Sequence, residues 1–139
     1  IWPLFMSGGA GFEWYVQNDG GGHTLDQNIN DLREIGPALE WCGHLLEFFS
    51  RIPYWRMDAD YRAVSNWKGY LLGEAGTMYA VYFPDGDVSS IDIASGDYAV
   101  TWFDPKTGME YDGGTVSGGS GTDLGSAPFS GDAAVTLRA

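Results

Sequence analysis

In DYAVTWFDPKTGMEYDGG, residues 97–114, apolar side chains fall on both phases of a period of two. Tyr98, Val100 and Trp102 point to one side of an extended chain, and Ala99, Thr101 and Phe103 to the other, so both faces of this strand are expected to be at least partly covered. DPKTG (104–108) then supplies Pro where φ is preset and Gly where a positive φ is tolerated, which turns the chain back into MEYDGG.

The same pattern extends on either side. TMYAVYF (77–83), the turn PDGD (84–87) and VSSIDI (88–93) read as a hairpin, and GYLLGE (69–74) as a further strand. The last strand is AAVTLR (133–138), with Ala134 and Thr136 on one side and Val135 and Leu137 on the other. This makes six or seven short strands at the spacing of a β-sandwich. SGGSGTDLGSAP (117–128) has the composition of a flexible loop. Among the aromatic residues of this half, Trp67, Tyr70 and Tyr111 are candidates to meet a ligand, whereas Trp102 belongs to the core.

Residues 1–57 differ in character. DLREIGPALEWCGHLLEFFSRI (31–52) places Leu32, Ile35, Leu39, Cys42, Leu46 and Phe49 on one helical stripe, widened by Trp41, Leu45 and Phe48. Asp31 and Glu34 could close a capping box, or Gly36-Pro37 could restart the helix, which ends near Arg51. So wide a stripe calls for a larger partner than this half supplies. The joining segment IPYWRMDADYRAV (52–64) is aromatic instead of Gly/Ser-rich, so it is expected to dock the two parts firmly and to bury Tyr54 and Trp55 between them.

Composition narrows the function. Nineteen acidic residues against seven basic ones give a formal charge of −12. Nucleic acid and anionic membrane surfaces are therefore poor partners. Cys42 is the single cysteine, which leaves no intrachain disulfide and no zinc-ligand spacing. No apolar run is long enough to span a membrane, and the first residues lack the basic flank of a signal peptide. Asp85-Gly86-Asp87 lacks the spaced ligands of a calcium loop, and no phosphate loop or Ser/His/Asp arrangement occurs, so neither metal nor cofactor is expected. His44 is expected to be an exposed or hydrogen-bonded helix residue.

Four segments in order, GGAGFEWYV (8–16), ALEWCGHLLEFFSRIPYWRM (38–57), TMYAVYFPDG (77–86) and YAVTWFDPKTGMEY (98–111), resemble the C-terminal third of bacterial apiosidase-like glycoside hydrolases. The resemblance implies an α+β chain: residues 1–57 as the end of a (β/α)8 barrel, with its eighth strand at 11–16, and residues 58–139 as an antiparallel β-sandwich of the kind labelled collagen-binding. It further implies an extracellular or periplasmic protein whose partner is polysaccharide or collagen. Ile1 would then lie within a helix of a barrel continuing upstream, and the apolar faces of residues 1–50 would promote self-association. Two features depart from the family pattern: Ala133 follows Asp132 where an aromatic residue is expected, and the loop GGGHTLDQNIN (20–30) is glycine-rich.

Glycoside hydrolysis needs two carboxylates flanking the scissile bond, placed in a barrel at the C-terminal ends of strands. Glu13 stands near such an end, followed by Trp14 and Tyr15, whose rings could stack on a pyranose. His23 and Asp26 come in the next loop and could contact sugar hydroxyls. The alternatives are a buried Glu13 paired with a cation elsewhere and a solvated His23 and Asp26. No catalytic pair is expected within these 139 residues.

Overall fold

All six residues of Met78–Phe83 are buried, as expected of a strand covered on both faces. The computed structural model describes residues 1–12 and 36–139. Within it are two helices, α1 (Trp2–Met6) and α2 (Gly36–Ser50), and six strands. The strands are β1 (Asp58–Ala59), β2 (Tyr70–Glu74), β3 (Met78–Phe83), β4 (Gly96–Phe103), β5 (Glu110–Gly118) and β6 (Ala133–Arg138). They form one antiparallel sheet in the order β1-β2-β3-β6-β4-β5.

The last strand is thus an inner one. Val135 of β6 lies opposite Val81 of β3 on one side and Trp102 of β4 on the other. The alternation read from the sequence holds. Val135 and Leu137 face one core with Tyr79, Val81, Phe83, Val100 and Trp102, and Ala134 faces the other with Ala80, Tyr82 and Phe103.

Each face is covered differently. On one side lie α1 and α2 with Ile52 and Met57. Trp2 stacks on Tyr82 at 5.2 Å and meets Phe48 edge-on at 5.1 Å. Each of these large side chains contributes about 1.5–3 kcal/mol by burial. On the other side lies a thin layer of irregular chain, held together by single bridges Val64↔Ile91 and Ile91↔Thr122. The result is sandwich-like, with one complete sheet and a second layer reduced to bridges.

Several expectations are corrected here. Residues 88–93 do not pair with β3 as a hairpin, because both edges of β3 are taken by β2 and β6; of that segment only Ile91 bridges, across the opposite layer. The 117–128 loop is tied down: Ile91 and Thr122 exchange backbone hydrogen bonds at 3.0 and 2.8 Å, and Leu124 is buried. On α2 the single wide stripe divides: Leu45, Phe48 and Phe49 meet the sheet, whereas Leu39 and Leu46 are exposed and Cys42 is half-buried. Tyr54 and Trp55 are exposed, at 51% and 73%; Ile52 and Met57 dock the joining segment in their place.

The DPKTG turn forms as read. Gly108 has φ +72, and the buried Asp104 caps the turn by accepting from Lys106 N at 2.8 Å and Thr107 Oγ1 at 2.7 Å. His44 of α2 sits 3.2 Å from the Pro105 carbonyl through Nδ1, so it is a hydrogen-bonded helix residue. All of the 11–16 strand except Gly11 and Phe12, which are not in a strand, lies outside the described residues, as do Asp31, Leu32, Glu34 and Ile35.

Candidate functional site

Among the described residues that follow α2, the segment from Asp58 to Gly69 exposes two large aromatic side chains, Tyr61 and Trp67. Asp60 opens a short 3-10 turn, Tyr61–Ala63, by accepting the Arg62 N–H at 2.9 Å. Ala63 and Val64 then dip into the core opposite the helices, fixed by Asp92 N to Ala63 O at 2.7 Å and Ser65 N to Ser90 O at 3.0 Å. Asn66 clamps the next three residues. Its Oδ1 accepts from Lys68 N at 2.9 Å and Gly69 N at 3.2 Å, and its Nδ2 donates to the Asp87 carbonyl at 2.9 Å. Gly69 is packed so closely that a Cβ there would stand 2.7 Å from Val64 Cγ1.

Between these anchors Trp67 is held at φ +60, a conformation that bulky L-residues rarely adopt and that persists only where the surroundings impose it. Its side chain faces solvent, 73% exposed, with the ring of Tyr61 at 6.4 Å and 53°. Tyr61 is also exposed, and the Arg62 guanidinium lies 5.5 Å over its ring while Nε donates to its hydroxyl at 3.1 Å. Beside them, Lys68 Nζ meets Asp87 Oδ2 at 2.7 Å, an ion pair that raises the lysine pKa through that hydrogen bond. Asp85-Gly86-Asp87 is thus a turn, with one carboxylate occupied by Lys68; no cluster of three metal-ligating side chains occurs among the described residues.

Of the sequence candidates, only Trp67 stands on this surface. Tyr70 is half-buried on the helix side, its ring 6.2 Å from Tyr82, and Tyr111 packs against Phe129 at 5.3 Å. The structure does not bring the three together. Tyr61, which does join Trp67, is not among those candidates because it lies six positions away in an irregular segment, where no periodicity links the two. Glu13, Trp14, Tyr15, His23 and Asp26 lie outside the described residues.

A concavity of about 490 Å³ opens on the helix side between Trp2, Trp41, Lys106, Ser130 and Asp132. Its acidic member is already engaged: Asp132 accepts from Tyr82 Oη at 2.5 Å and from Asp85 N at 3.0 Å.

Neither a protein-family model nor a curated protein matches the chain. In fold it is similar to a glycoside hydrolase family 5 protein from Bacteroides vulgatus ATCC 8482, with 13% identity and a TM-score of 0.61 over 73% of this chain and 24% of that one. It is also similar to a solved chain described as a glycoside hydrolase, with 12% identity and a TM-score of 0.65 over 89% of this chain and 30% of that one. The chain therefore shares a fold found within glycoside hydrolases and spans about a quarter to a third of the length of these two. No helix among the described residues is long and apolar enough to cross a membrane.

Proposed function

We propose that this chain is an accessory region of a secreted, apiosidase-like glycoside hydrolase, whose sheet domain packs on a catalytic barrel and stabilises it. The observation that carries the reading is the double apolar character of α2. Leu45, Phe48 and Phe49 are spent on the sheet, yet about 100° round the helix Leu39, Cys42 and Leu46 form a second apolar stripe, with both leucines exposed. A helix apolar on two sides fits between two bodies, here the sheet and the remainder of a barrel. Fold likeness to segments of two much longer glycoside hydrolase chains supports the same reading. On this reading the carboxylates that cleave the glycosidic bond belong to that barrel, and the protein works outside the cytoplasm, where glycan polymers are met.

The test is association of the 139-residue chain in isolation. Size-exclusion chromatography with light scattering is expected to show dimers or larger species, converted to monomer by Leu39→Glu with Leu46→Glu and with the unfolding midpoint preserved. A monomeric wild-type chain, or turnover of aryl glycosides by it, would contradict the assignment.

A further inference from the structure

Tyr61 and Trp67 flank Ala63 and Val64, which pack on the sheet face opposite the helices, so their role is independent of the packing role given to α2. We infer that this ring pair is a binding platform for a neutral oligosaccharide chain. Three observations converge on that occupant.

The first is the cost at which the surface is kept. An exposed Trp at φ +60 contributes little to the core, and Gly or Asn would hold that backbone with less strain. The loop nevertheless fixes it from both sides, through Asn66 and through Val64. A backbone already fixed in place has less freedom to lose when its side chain binds.

The second is the chemistry beside the rings. The turn that carries Tyr61 also borders a groove of about 520 Å³, which shares Asp60 and Ala63 with it and is lined on its polar side by Asp58, Asp92 and Ser120. Asp60 Oδ1 accepts from Arg62 N at 2.9 Å, and Asp92 Oδ1 from Gly121 N at 2.7 Å and the Ser120 hydroxyl at 3.0 Å, so the second oxygen of each carboxylate retains lone pairs for further donors. A pyranose offers what these groups lack: an apolar C–H face for the rings and hydroxyl donors for the carboxylates.

The third is charge. A chain of net −12, with carboxylates lining the groove, repels polyanions. A proline-rich peptide would also stack on the rings but brings few N–H donors, leaving the aspartates unmatched.

Affinity electrophoresis of the full chain through gels containing mannan, xylan, xyloglucan or mixed-linkage β-glucan tests the inference. At least one of these polymers is expected to retard the wild type, with little change at high salt. Trp67→Gly is the decisive variant, because glycine accepts φ +60 without strain: it should unfold no earlier than wild type yet bind at least ten-fold more weakly, as should Tyr61→Ala. Trp55→Ala, which removes an equally exposed ring elsewhere, should bind as wild type does. The inference is overturned if none of the four polymers retards the wild type, or if Trp67→Gly migrates as the wild type does.

Discussion

Tyr82 and Asp132, fifty positions apart, are joined by a 2.5 Å hydrogen bond in which the phenol donates to Oδ2. Asp132 Oδ1 meanwhile accepts from Asp85 N, so a single carboxylate fastens the end of β3, the turn after it and the start of β6. Burial, reinforced by the adjacent carboxylate, raises the Tyr82 pKa above the ordinary tyrosine value.

That shift sets the sign of the pH effect. An unfolded tyrosine loses its proton near about pH 10, whereas folded Tyr82 keeps it, so the stability it contributes is intact below about pH 10 and declines as pH rises beyond that. Tyr82→Phe should cost about 1 kcal/mol at neutral pH, and the gap between the variant and wild type should close on going from about pH 10 to about pH 12. Denaturant titrations across that range would measure it.

Docking of α2 rests on apolar contact more than on ion pairs. Arg51 reaches Glu47 and Glu110, and its pKa is raised chiefly by the Glu110 hydrogen bond, but all three side chains are substantially exposed. Arg51→Met is therefore expected to cost under about 1 kcal/mol, and Phe48→Ala about 3–5 kcal/mol. Thermal or urea unfolding of the two variants would rank them.

Two glycines should respond to alanine in opposite directions. A Cβ on Gly118 would collide with the Ala94 carbonyl oxygen and stand 2.6 Å from the Tyr98 ring, and Gly118→Ala should lose about 1–3 kcal/mol. Gly43 lies mid-helix with nothing near its would-be Cβ, and Gly43→Ala should gain up to about 1 kcal/mol. Differential scanning calorimetry resolves both changes.

What could be read in the sequence was local. The facing of Tyr98 against Ala99, or of Ala134 against Val135, comes from a period of two, and the Pro105–Gly108 turn from backbone preference. Pairing was harder, because it is decided by competition between distant segments: 88–93 has a strand's composition, yet no edge of β3 remained for it. Similarly, periodicity gave one wide apolar stripe on α2 but not which part of it the sheet would take. Tyr61 and Trp67 carry no pattern at all; only the clamped turn between them brings their rings together.

The inner position of β6 has a consequence for biosynthesis. Until residues 133–138 leave the ribosome, β1-β2-β3 and β4-β5 have no strand to join them, and β3 and β4 each present an open, apolar edge. Sheet closure is thereby postponed to the last segment of this region to emerge, and during that interval the nascent protein is most exposed to wrong partners.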